Sequence, residues 1–245
     1  MTSPNIMPIS TIPTTSAKGR AHGWRLATGL GLAAACVFLV WHAGSDLSAY
    51  NAADQGARAL RSAQAMMAGT ARDAQLDSAQ IALQRALARH PEDGLSWSRL
   101  AEVRLLQATG AALGSVSPAL LQASVAASTR AQALGRDGAN DFARLAFALS
   151  LLKQQERPAA TALAASYARE ALGAGLAERR LQAANRIWAD LDGQARAAAL
   201  REACASLADP LASGQEGRAV LQLALAPAET PSAFCLRAGF ESASR

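Results

Sequence analysis

Few residues in this chain have the types and spacing that do chemistry. There are three histidines and three cysteines. His22 and His42 flank an apolar run, and His90 precedes Pro91 in a helix-ending turn, where the helix dipole favours it. No His-x-x-x-His, Cys-x-x-Cys or acidic cluster is present, so no metal site is expected. There is no G-x-S-x-G elbow and no phosphate-binding loop. Gly29 and Gly31 sit within the apolar run, not at a dinucleotide-binding turn. Glu92 and Asp93 pair up in a turn, where solvation is the simpler reading than acid–base work. The expectation is a protein that is not an enzyme, takes no cofactor and has no evident small-molecule substrate.

The apolar run itself is the strongest signal. It spans Leu26 to Val40, reads LATGLGLAAACVFLV, and is bracketed by Trp24 and Trp41. With its flanks it approaches the ~20 residues needed to cross a bilayer, and tryptophans at both ends suit the two interfaces. A transmembrane helix over 24–43 is expected. Two alternatives stay open. Ala43-Gly44-Ser45 has the form of a signal cleavage site. Cys36 follows three alanines as in a lipoprotein signal, although apolar residues continue beyond it. Lys18, Arg20 and Arg25 precede the run, and residues 1–45 hold no acidic residue. The positive-inside rule then keeps the N-terminus cytoplasmic and exports the body, giving a single-pass inner-membrane protein with a periplasmic body. Residues 1–23, punctuated by Pro4, Pro8 and Pro13, are expected to form a disordered cytoplasmic tail.

The formal charge of +5 does not point to nucleic acid. Only three of the 24 basic residues lie before position 46, which leaves 21 in the body against 19 acidic ones. No basic stripe with interleaved aromatics is visible. In an oxidising compartment, Cys204 and Cys235 are the only cysteines of the body and a bridge between them is expected. It would close a loop of about 30 residues and contribute roughly 2–4 kcal/mol. Two buried free thiols are the alternative.

The elements of the body are helices. Ala, Leu, Arg, Gln and Glu dominate from Leu47 onward, and Val and Ile are scarce. Ser48–Met67 shows helical spacing and ends before Gly69-Thr70. Between Leu76 and Leu105, Ala79, Leu83, Ala86 and Leu87 form one apolar face. His90 to Gly94 interrupt it, and Trp97, Leu100, Ala101 and Leu105 resume it. Ala79, Leu83, Ala86 and Pro91, followed by Trp97, Leu100 and Ala101, resemble a junction between tetratricopeptide repeats, with Arg104 where that family usually has tyrosine. A fainter copy follows 45 residues later: Ser124, Ser128 and Ala131, a turn over Gly135–Asn140, then Phe142, Leu145 and Ala146. The spacing fits an inserted loop over Thr109–Pro118. Ala164, Ala168 and Ala171, then Leu181, Ala184 and Trp188, form a third echo.

The fold expected from this resemblance is all-α. The N-terminal transmembrane helix is followed by a short α-solenoid of tetratricopeptide-like helical hairpins over 47–190, and capping helices over 191–245. A plain helical bundle whose Ala and Leu mimic the repeat is the alternative. The resemblance implies a concave surface, lined by the first helix of each pair, that binds protein partners. Trp97, Arg104, Arg144 and Asn185 are the expected partner surface. The corresponding function is a membrane-anchored extracytoplasmic scaffold or adaptor. An accessory subunit of an envelope assembly, for polysaccharide synthesis or export or for cytochrome maturation, is a second reading. An envelope enzyme or carbohydrate binder is a third, and it would show clustered carboxylates or exposed aromatics.

Overall fold

A computed structural model describes residues 18–110, 116–173, 175–207, 212–226 and 229–239, with side chains from residue 31 onward. The described residues form ten α-helices and no strand: α1 (Lys18–Gln64), α2 (Thr70–Leu87), α3 (Gly94–Gly110), α4 (Pro118–Ala133), α5 (Ala139–Ser150), α6 (Glu156–Arg169), α7 (Ala177–Arg186), α8 (Gly193–Ser206), α9 (Ala212–Gln222) and α10 (Pro231–Arg237). One 3-10 turn, Trp188–Asp190, follows α7. The chain divides into two units, residues 1–47 and 48–245.

In the first unit, α1 presents Leu32, Val37, Phe38, Leu39, Val40 and Trp41, each at least 63% exposed. An uninterrupted apolar ribbon of this kind is costly in water and stable in lipid. This one N-terminal helix is long and apolar enough to cross a membrane. The helix begins at Lys18, so the expected disordered tail is too long by six residues. The tail's last proline is Pro13, and no proline follows it before the end of α1. Residues 1–17 of that tail, and residues 111–115 of the expected loop, lie outside the described residues. Cys36 is a free, exposed cysteine.

In the second unit, helix boundaries follow local chemistry. Pro91 and Gly94 separate α2 from α3. There Asp93 Oδ1 accepts from the backbone N–H of Leu95 at 3.0 Å, and Trp97 Nε1 donates to the Pro91 carbonyl at 2.8 Å. Ser117 caps α4 ahead of Pro118, Asp192 caps α8 and Thr230 caps α10 ahead of Pro231. Gly135 takes φ +84° to end α4 in the left-handed region that glycine tolerates. Trp188 lies in the 3-10 turn beyond α7, not on the helix expected to carry it.

Each of these helices packs against its neighbour along the chain from α2 to α9. α3 also meets α5, α5 meets α7, α7 meets α9 and α6 meets α8. Small residues allow these approaches. Ala79, Ala101, Ala131, Ala146 and Ala184 are fully buried. A Cβ on Gly56 of α1 would sit 2.7 Å from Leu83 Cγ, so that crossing requires glycine. Leu76, Leu83, Leu100 and Val103 fill the core between the end of α1, α2 and α3. A larger cluster runs from Leu145 through Leu163, Leu181 and Ile187 to Val220 and Phe234.

Cys204 of α8 and Cys235 of α10 are joined by a disulfide, with Cα atoms 5.8 Å apart and a sequence separation of 31. α10 has seven residues and buries mainly Phe234 and Cys235, too little surface to hold it by packing alone. Replacing both cysteines by serine is expected to lower the unfolding free energy by about 2–4 kcal/mol. Urea denaturation gives that figure, and hydrogen exchange is expected to show α10 opening first. Equal denaturation midpoints for the two forms would remove the bridge from the stability of this unit.

Candidate partner-binding groove

Two adjoining cavities line the unit. The first, about 410 Å³, is bounded by the last turn of α1, the start of α3, the start of α5 and the start of α7. The second, about 700 Å³, continues along α3, α5, α7 and α9. Both are walled by Glu178 and Arg179, so they form one groove.

The floor of the first cavity is a buried ionic cluster centred on Glu102. Ser98 and Glu102 lie one turn apart on α3, and Asp141 and Arg144 share a face of α5. Arg144 Nε donates to Glu102 Oε2 at 2.8 Å, and Arg144 Nη1 donates to the Ser98 carbonyl at 2.8 Å and to Asp141 Oδ1 at 3.2 Å. Arg179, from α7, donates from both terminal nitrogens to the two Glu102 oxygens, at 2.8 Å to Oε2. Gln64 of α1 adds a longer bond, 3.3 Å, to Oε1. One carboxylate thus ties α1, α3, α5 and α7 together.

Burial pushes the Glu102 carboxyl up. The charges and hydrogen bonds of Arg179 and Arg144 together outweigh it and hold the pKa down at about 2. A carboxylate depressed in the folded state stabilises the fold above its unfolded pKa, near 4.5, and that contribution is lost as pH falls towards 2. Wild type is therefore expected to lose stability steeply over that window, whereas Glu102→Gln should lack this component. Denaturant midpoints followed from pH 6 to pH 2 for both proteins would show it; parallel curves would contradict it.

A second cluster lies behind the first. Arg180, beside Arg179 on α7, is 0% exposed. Its Nε donates to Ser166 Oγ, its Nη2 to the carbonyls of Ser166 and Glu170, all at 2.9 Å, and its Nη1 to Glu202 Oε1 at 3.1 Å. The Tyr167 hydroxyl donates to Glu202 Oε2 at 2.9 Å, and the Arg180 guanidinium lies 4.7 Å over the Tyr167 ring. Burial pushes Glu202 above its ordinary value, and Arg180 and Tyr167 offset part of that shift. Burial and the neighbouring Glu202 push the Tyr167 hydroxyl well up.

Of the four residues expected at a partner surface, only Asn185 is exposed in the groove, in its second cavity. Arg144 lines the first cavity but is only 4% exposed, with its guanidinium engaged in the Glu102 cluster. Arg104 points away from the groove and is half-buried. It donates to the Ala123 carbonyl at 3.0 Å and so fastens α3 to α4, and burial lowers its pKa. Trp97 is half-buried against the core of α2 and α3 and braces the Pro91 turn. Sequence reasoning missed Arg99, Arg136 and Asn140, which line the first cavity. Their only signal was position, in the first two turns of a first helix or in the turn just before one.

A third cavity, about 600 Å³, lies beside Tyr50, whose ring stacks on His90 at 5.6 Å. Of its carboxylates, Asp93 caps α3, Asp54 pairs with Arg58, and Glu92 lies 3.5 Å from His90 Nδ1. Among the described residues no group of three His, Cys, Asp or Glu side chains is placed to hold a metal ion. The groove offers guanidiniums, amides and apolar walls, groups that bind extended chains and anions. Comparison with known proteins finds no matching family model, no matching curated protein and no matching solved structure.

Proposed function

We propose that this chain is a membrane-anchored extracytoplasmic scaffold that binds a protein partner in the groove between its first helices. The observation that carries the reading is the groove's construction: successive elements α3, α5, α7 and α9 each contribute a wall, as the first helices of stacked hairpins do. The contacts of α3 with α5, α5 with α7 and α7 with α9 support a short tetratricopeptide-like solenoid over a bundle with unrelated crossings. The apolar ribbon of α1 supports anchoring in the inner membrane, and Lys18, Arg20 and Arg25 ahead of it support export of the body. The Cys204–Cys235 bridge suits an oxidising compartment such as the periplasm.

A photo-crosslinking residue at Asn140, in the groove, tests this against the same residue at Thr129, exposed on α4. In native membranes, position 140 is expected to give a discrete protein adduct that position 129 does not. The same adducts from both positions, or none from position 140, would sink the reading.

A further inference from the structure

The charge of the groove is not balanced within the chain, and its two cavities differ in character. Arg99 and Arg136 both line the first cavity, and among the described residues neither guanidinium has a hydrogen-bond or ion-pair partner. The other two guanidiniums of that wall, Arg144 and Arg179, share the carboxylate of Glu102, and Arg144 also pairs with Asp141. The remaining lining carboxylate, Glu178, accepts from Gln182. Four arginines face the lining glutamates Glu102 and Glu178 and, behind the wall, Asp141, which leaves an excess of one positive charge, with the Arg99 and Arg136 guanidiniums unpaired among the described residues. Arg99 is half-buried, so its charge is only partly satisfied by water. In the second cavity Leu106, Phe147 and Leu151 are half-buried and supply an apolar wall that the first cavity lacks, alongside Asn185, Gln182 and the oppositely charged Arg186 and Glu216.

We propose that the partner segment held in this groove is an extended peptide with carboxylate side chains at one end, set against Arg99 and Arg136, and apolar side chains at the other, set against Leu106, Phe147 and Leu151. This rests on the reading of the groove as the partner site. Guanidiniums bind carboxylates through two parallel hydrogen bonds, which gives direction as well as affinity. The apolar wall supplies burial that is insensitive to salt. A wholly anionic polymer would leave that wall unused. Binding should therefore weaken, but not vanish, as salt screens the first cavity.

The test is selection from a random dodecapeptide library on the full chain in detergent, run in parallel on Arg99→Gln/Arg136→Gln and on Asn140→Trp, which narrows the first cavity. Among the described residues the Arg99 and Arg136 guanidiniums have no polar partner, so the double variant is expected to keep the wild-type melting temperature. Peptides selected on wild type should be enriched in Asp and Glu next to Leu, Phe or Ile. They should bind the double variant about tenfold or more weakly, as expected for loss of about 1.4 kcal/mol or more. Peptides that need an open groove, by their loss on Asn140→Trp, yet carry no acidic enrichment or bind the double variant equally, would overturn this inference and leave the groove as a partner site. Failure to select any peptide that Asn140→Trp weakens would overturn both.

Discussion

Alanine at Glu102 is expected to destabilise the body by about 3–5 kcal/mol, because it strands two guanidiniums at once. The Arg144 side chain is 5% exposed and its remaining acidic partner, Asp141, also accepts from Ser98. Arg179 is a quarter exposed and can turn partly to water, so most of the cost arises at Arg144. Against a typical total of 5–15 kcal/mol, such a loss leaves the fold marginal. The origin of the cost can be separated from the worth of the cluster. Replacing Glu102, Arg144 and Arg179 by methionine and their buried neighbour Asp141 by asparagine removes the stranded charges, and similar swaps elsewhere are often neutral or stabilising. The quadruple variant is therefore expected to recover most of what Glu102→Ala loses, and yet to lose partner capture, because the floor of the groove is no longer fixed. Urea denaturation compares the three proteins. A loss below about 1 kcal/mol for Glu102→Ala would show that the cluster is not the tie between α3, α5 and α7.

The sequence carried the helices plainly and the groove poorly, for identifiable reasons. Ala79, Leu83, Ala86, Leu100 and Ala101 announce a close-packed crossing, and all are buried where α2 meets α3. Apolar periodicity reports which face of a helix is inside, and that information is local. Arg144 and Asn185 were assigned one surface from their places on first helices, yet one is buried and the other exposed. The difference is set by Glu102, 42 residues away from Arg144, which supplies a partner for a charge that would otherwise face water. Likewise Arg179 and Arg180 are adjacent and chemically identical, but successive helix positions point about 100° apart. One meets Glu102 at the groove and the other Glu202 in the interior. An alanine-rich background made these pairings hard to see, because short side chains leave room for long ones to reach across two helices. Arg104 stands where the repeat family usually has tyrosine, and reaches a backbone carbonyl of α4 instead.

Arg180→Ala is expected to match Glu102→Ala in cost, about 3–5 kcal/mol near neutral pH, but with the opposite dependence on pH. Arg180 satisfies two backbone carbonyls, the Ser166 hydroxyl and the Glu202 carboxylate, and no water reaches it. Its removal leaves the two carbonyls short of a donor and leaves Glu202 buried with only the Tyr167 hydroxyl among its side-chain donors. Burial already raises Glu202, and loss of the guanidinium that lowers it raises it further. A carboxyl whose folded pKa lies above its unfolded value costs nothing below the unfolded pKa and destabilises progressively as pH rises through the folded one. The deficit of Arg180→Ala relative to wild type should therefore shrink as pH is lowered towards 4.5, whereas the stability that Glu102 supplies is lost on moving below that value. Arg180→Lys should fall between, since one ammonium cannot span the four acceptors that the guanidinium reaches. Adding Glu202→Gln to Arg180→Ala removes the carboxylate, and the pH dependence of the deficit should flatten with it. A deficit that stays constant from pH 7 to pH 4.5 in Arg180→Ala would mean that Glu202 keeps its charge by recruiting water, and that the interior around α7 and α8 is looser than the packing of Tyr167 and Arg180 implies.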